Sequence, residues 1–242
     1  MTRHATRASR KQLLVKRVQK VSAVIPVLNE AATVESAVRR AWAAGADEVI
    51  VSDGGSTDGS ASIARQQACQ VVESSTGRAI QQNQGARAAN GDILLFLHAD
   101  NWLAAGTVDQ IRTVCQDGQV HYGGFLQQIQ AEGSLYRFIE RGNAMRVRRL
   151  HIAYGDQGIF VRRSTFNAVG GFPTVSLMED LRLMRSLRLH GRPALLPGPI
   201  YVSPRRWQRN GVIRQTLYNW SLLTAEKIGI SPDRLARFYP PH

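Results

Sequence analysis

Acid is scarce in this sequence. Against 31 lysines and arginines stand only 18 aspartates and glutamates, a formal net charge of +13 over 242 residues. Cysteine is scarcer still: Cys69 and Cys115 lie far apart and share no metal-ligand spacing. That excludes a disulfide framework and leaves each thiol as a small apolar side chain. No apolar run approaches the ~18 residues that a membrane-spanning helix needs. Near the N-terminus, Leu13 to Val15 is too short for the apolar core of a secretory signal, so the expected location is cytoplasmic. The six histidines form no HExxH or other close ligand pair, and His121, His151 and His190 read as surface or core residues. A Gly-x-Ser-x-Gly nucleophile elbow, a Gly-x-Gly-x-x-Gly dinucleotide fingerprint and a Gly-Lys-Ser/Thr phosphate loop are all missing.

Present instead is an ordinary apolar fraction, 43%, on a length that fits one large domain. Seven cations fall between Arg3 and Lys20 with no acid among them, so residues 1–20 read as a basic arm. Others gather at Arg137 to Arg149, Arg182 to Arg192 and Arg205 to Arg214. Such a surface attracts phosphorylated ligands, anionic lipid or nucleic acid, or simply keeps the chain soluble.

From Val21 the pattern becomes regular. Val21 to Val27, Glu48 to Ser52, Gln70 to Glu73 and Ile93 to His98 read as strands. Between them, helices are predicted at Val34 to Ala41, Ser60 to Gln67 and Ile80 to Ala89. This alternation predicts an α/β fold with a mainly parallel central sheet and helices on both faces. Ligands of such sheets bind at the carboxyl ends of the strands, in the loops after Val27, Ser52 and His98. The second half is less regular: strands at Phe125 to Ile129 and Gly158 to Arg162, helices at Leu135 to Arg149, Leu181 to Leu189 and Val212 to Ile228. The expected division is one domain over 21–230, with a nucleotide-binding half at 21–101, an acceptor-binding half at 102–230 and a tail at 231–242.

Each loop has a plain reading. Pro26-Val27-Leu28-Asn29-Glu30 is a strand exit with a helix cap, or part of a nucleoside pocket. In Ser52-Asp53-Gly54-Gly55-Ser56-Thr57-Asp58-Gly59, Asp53 holds a tight turn, or accepts from a base or ribose while glycine lets the backbone approach. Leu97-His98-Ala99-Asp100 sets two side chains on the same side of an extended chain, where an imidazole and a carboxylate can share a hard cation such as Mn²⁺ or Mg²⁺. Glu179-Asp180 either favours a helix N-terminus electrostatically or supplies a base.

Taken together, these loops resemble the family 2 inverting glycosyltransferases of the GT-A fold, in their small bacterial branch, over Val21 to Leu196. The resemblance implies the GT-A nucleotide-diphospho-sugar transferase fold. Pro26, Asn29, Glu30, Asp53, Arg78 and Asn83 would then bind the nucleotide. Asp100 would hold the metal at the diphosphate, with His98 where the family has the first acid of Asp-x-Asp. Asp180 would be the catalytic base with Glu179 supporting, and Asp156 and Gln157 would meet the sugar. Ser203-Pro204-Arg205-Arg206-Trp207 is similar to the Gln-x-x-Arg-Trp of processive synthases but lacks the Gln. That leaves Arg205 and Arg206 for the diphosphate and Trp207 to stack on a sugar ring.

The reaction so implied is a single inverting displacement. It uses a nucleotide-sugar donor, UDP-linked by preference, and an acceptor hydroxyl on a small metabolite or lipid-like molecule. The arm and the Val212 to Ile228 helix would allow peripheral contact with an anionic membrane at its inner face. Rival readings are a nucleotidyltransferase, a basic nucleic-acid-binding protein, disfavoured because no binding motif accompanies the charge, and an inactive GT-A fold.

Overall fold

The computed structural model of the chain describes residues 18–238. The greater part of the basic arm, 1–17, lies outside the described residues. Strands β1 (Val21–Val27), β2 (Glu48–Asp53), β3 (Gln70–Glu73) and β4 (Ile93–Phe96) alternate with helices α1 (Val34–Ala43), α2 (Ser60–Arg65) and α3 (Arg78–Ala88). β5 (Asn101–Leu103) and α4 (Val108–Val114) follow. The second half carries β6 (Tyr122–Ile129), α5 (Ser134–Leu150), β7 (Phe160–Arg162), α6 (Arg163–Ala168), α7 (Glu179–Leu187), β8 (Ala194–Val202), α8 (Arg205–Asn210), α9 (Val212–Lys227) and α10 (Pro232–Ala236).

All eight strands form one sheet in the order β3-β2-β1-β4-β7-β6-β8-β5. β3, β2, β1 and β4 pair in parallel, as do β6 and β8. β7 runs antiparallel between β4 and β6, and β5 antiparallel on β8. β1 is almost wholly buried because both of its faces are covered. Ile25, Ile93 and Leu95 pack with α1 and α4 on one face, Val24, Leu94 and Phe96 with α3, α6 and α7 on the other. Gly85 lets α3 lie close on the sheet: a Cβ there would stand 2.4 Å from Val24 Cγ1.

Three departures from the sequence reading have local causes. β4 ends at Phe96, although Leu97 still donates to Val24 O at 3.0 Å. β8 was unforeseen because Pro197 and Pro199 argue against a strand; a register shift opposite Phe125 to Gln127 accommodates them. The expected tail from 231 is instead partly helix. Ser231 caps α10, Leu235 is buried against Leu177, Leu181 and Leu222, and Asp233 accepts from both the amide and the hydroxyl of Ser176. Among the described residues no helix is long and apolar enough to cross a membrane.

Candidate active site at the carboxyl edge of the sheet

The loops after β1 and β2 are sewn together. Asn29 turns through a left-handed conformation, φ 55°, which Asn tolerates. Its amide donates to Ser56 Oγ at 2.9 Å and its Oδ1 accepts from the Thr57 amide at 2.9 Å. The Glu30 amide donates to Ser60 Oγ (2.7 Å), while the Glu30 carboxylate accepts from Thr33 Oγ1 (2.7 Å). Pro26 lies opposite Ser52 and beyond the last residue paired with β4, so its missing N–H interrupts no ladder. Asp53, at the end of β2, is buried. Its Oδ2 accepts from the Gly55 and Ser56 amides at 3.0 and 3.1 Å, and its Oδ1 has no hydrogen-bond partner among the described residues.

Gln81, which nothing in the sequence singled out, clamps both strand ends from α3. Its Nε2 donates to Val27 O at 2.7 Å and Ser52 O at 3.2 Å. Gly54 is held to glycine by the same side chain, since a Cβ there would meet Gln81 Cδ at 2.8 Å. Asn83 is not at the nucleotide edge as expected. Its side chain both donates to Phe172 O (2.8 Å) and accepts from the Phe172 amide (2.9 Å). It fastens the Gly170-Gly171-Phe172 turn to α3, a packing and tethering role.

Beyond β4, Asp100 accepts from Arg205 Nη2 at 3.2 Å. Arg206 stands near, its guanidinium pulled down to about 10 by burial and by Arg78, with Asp100 opposing. It stays protonated at neutral pH; burial is the larger cause, and the smaller push in the same direction from Arg78, Arg209 and Arg205 reflects cations close together, where an anion would fit. His98 lies against the Gly155 turn. Its Nε2 and Asp180 Oδ2 lie 2.7 and 3.5 Å from one point, the place a Cβ on Gly155 would take. Among the described residues no three His, Cys, Asp or Glu side chains gather as a metal site. A hard cation takes oxygen ligands, and Asp100 could offer one.

Glu179 and Asp180 open α7 after Met178, a left-handed residue at φ 63° held in place by its burial. Glu179 is 3% exposed and sits 3.4 Å from Arg78 Nη1. Burial raises its pKa, Arg78 opposing and Asp180 reinforcing. Asp180 is half-buried; its Oδ2 accepts from the Gly155 amide at 2.7 Å and its Oδ1 from the Leu181 amide at 2.6 Å.

The turn Tyr154 to Gln157 that supplies this amide is braced by Arg146 of α5. Its Nη2 donates to Gln157 Oε1 at 2.6 Å, its Nη1 to Asn143 Oδ1 at 2.7 Å, and the guanidinium stacks on the Tyr154 ring at 3.5 Å. Burial lowers the Arg146 pKa, with Tyr154, Asp156 and Asp180 opposing. Gln157, expected at the sugar, is fully buried and its amide is engaged by Arg146, the Tyr154 amide and Phe125 O. Trp207, expected to stack on a sugar, instead meets Tyr136 edge-on at 6.2 Å in a small cluster with Ile129 and Val202.

Asp156 remains at the site. Its Oδ1 is closed to solvent, with the Gln127 side chain beside the carboxyl. Burial holds its carboxyl above the usual range, against the pull of Arg146 and with Asp180 and Asp100 adding to it. A raised folded pKa stabilises the fold fully below the unfolded pKa, and the contribution is lost as pH rises through the folded value. Asp156→Asn should therefore gain stability relative to wild type as pH climbs from about 4. Urea midpoints measured across that range check the slope.

The model of a family described as Glycosyl transferase family 2 matches residues 22–173. No curated protein matches the sequence. Among solved structures the chain is similar to TarS of S. aureus, at 17% identity and a TM-score of 0.60 over 76% of this chain and 61% of that one. It is similar to the complex of TarS with UDP-GlcNAc at 16% and 0.59, over 76% and 58%. Mannosyl-3-phosphoglycerate synthase from Rubrobacter xylanophilus is similar at 18% and 0.55, over 76% and 65%. This chain thus spans 58% to 65% of the length of those structures, and the likeness speaks for the fold. With the family model covering β1 to the Phe172 turn, and the α/β sheet of these neighbours beneath it, the chain belongs to glycosyl transferase family 2.

Proposed function

We propose that the protein moves a sugar from a UDP-sugar to a hydroxyl of a small or lipid-like acceptor, with inversion at the anomeric carbon. The observation that carries this is the pairing of an oriented carboxylate with a cationic pole. Asp180 is fixed by the Gly155 amide, and Arg78, Arg205 and Arg206 gather around Glu179 and Asp100 at the same edge of the sheet.

In this reading Asp180 takes the proton of the acceptor hydroxyl as its oxygen forms a bond to the anomeric carbon. The bond from that carbon to the diphosphate oxygen breaks on the opposite side, and UDP departs with the electron pair. Arg205 and Arg206 offset its growing charge. Asp100 would hold Mn²⁺ or Mg²⁺, which would supply further positive charge for the leaving group. Asp53 Oδ1 receives a donor from the base or ribose, and Pro26, Asn29 and Glu30 shape that pocket. Asp156 meets a sugar hydroxyl. Glu179, tied to Arg78, positions the start of α7. Binding of UDP-GlcNAc by TarS agrees with the choice of nucleotide.

Thermal shift with UDP, GDP, dTDP and CDP, each with and without Mn²⁺, tests the donor. UDP with Mn²⁺ should raise the melting temperature of wild type, because a ligand that binds only the native state stabilises it. Asp100→Ala should lose the metal-dependent part of the rise. A flat response to all four nucleotides would overturn the proposal.

A further inference from the structure

α9 shows solvent an apolar stripe. Ile213, Leu217, Trp220 and Ile228 are 64%, 56%, 56% and 75% exposed, and the first three recur at i, i+4 and i+7 on one helical face. The other face is anchored: Leu222 is buried with Leu177 and Leu181, and Glu226 takes a two-pronged pair from Arg185 at 2.6 and 2.8 Å. The stripe is therefore held outward by a helix fixed from behind.

Charge identifies what it faces. Arg214 and Lys227 are exposed on α9, and α8 just before it brings Arg205, Arg206 and Arg209. From Ser203 to Ala225 the sequence has no acidic residue, and the first, Glu226, is buried on Arg185. An isologous contact between two copies through this stripe would set Arg214 and Lys227 against like charges. An anionic bilayer offers the opposite: apolar depth for isoleucine, leucine and tryptophan, and phosphates for the cations.

We propose that α9 docks in the headgroup layer of an anionic membrane, its stripe inserted and Arg214 and Lys227 on lipid phosphates. α8, with Arg205 on Asp100, then stands next to that surface, which suits an acceptor carried by the bilayer. The docking does not depend on the transferase chemistry.

Flotation of the full chain with phosphatidylcholine vesicles, with and without phosphatidylglycerol, tests it. Wild type should float with the anionic vesicles only, and added salt should weaken the binding. The triple variant Ile213→Ser, Leu217→Ser, Trp220→Ser should partition at least about tenfold less while melting as wild type does. The charge reversal Arg214→Glu with Lys227→Glu, which leaves the apolar stripe intact, should also lose anionic binding. Asp180→Asn should float like wild type, so failed docking and failed catalysis are read separately. The proposal is overturned if wild type ignores anionic vesicles or if both variants bind as wild type does, the basic arm then carrying the attraction. It is equally overturned if light scattering shows a dimer that the triple variant dissociates.

Discussion

Asp180→Asn should lower kcat by about a thousandfold while changing UDP affinity by no more than about twofold. The amide keeps the size and planarity of the carboxylate, so one oxygen still accepts from the Gly155 amide, which now donates at 2.7 Å to Asp180 Oδ2. What disappears is the capacity to take a proton, together with the bond from the Leu181 amide, which an NH2 cannot accept. Each carboxylate oxygen has a second lone pair beyond the one used by Gly155 or Leu181, so the acid can hold its orientation and act as a base together. Glu179 cannot replace it: the side chain is closed from solvent and faces Arg78. Steady-state rates and a UDP titration on the same preparations separate the outcomes. A variant that keeps its turnover moves the base elsewhere. Parallel loss of UDP binding would make Asp180 a structural residue.

Arg146→Met is expected to cost about 3 kcal/mol of stability, because the partners it leaves behind stay buried. Methionine matches much of the bulk but donates nothing. The fully buried Gln157 would lose its 2.6 Å donor, and Asp156 would lose the cation that lowers its pKa. The Tyr154 to Gln157 turn would loosen, and with it the Gly155 amide that orients Asp180. Urea unfolding should show a lower midpoint with unchanged slope. Turnover should fall in the folded protein at saturating donor, with KM for the donor changed less, since the turn holds Asp180 at 2.7 Å and meets the loop of Asp100 through a longer bond, 3.5 Å from Asn101 Nδ2 to Asp156 O. Arg146→Lys should recover part of the stability through charge but not the fork geometry that reaches Gln157 and Asn143 at once. Wild-type stability in Arg146→Met would refute the bracing role.

Much of this was legible in the chain. The first half announces itself because each parallel strand is a short apolar run and each helix repeats at helical spacing, as at Val34, Ala37, Val38 and Ala41. The strand-end loops carry glycine and carboxylates whose local preferences agree with their folded roles. The second half hid more. β8 contains two prolines and becomes a strand only because β6 and β5 flank it. α10 is five residues long and gains its place from Leu235 and from Asp233 on Ser176.

By itself the sequence determined the alternating α/β order, the family, and the residues at the ends of β1, β2 and β4, since these follow from local periodicity and from side chains next to their own strand. Tertiary structure alone decided which expected residues reach the site. Asn83 and Gln157 turned away because Phe172 and Arg146, 89 and 11 residues distant in sequence, satisfy their amides. It also decided that Gln81 clamps two strand ends and that Arg146 stands behind the Tyr154 to Gln157 turn. A buried polar group takes whichever partner packing brings within reach, and spacing along the chain does not encode that choice.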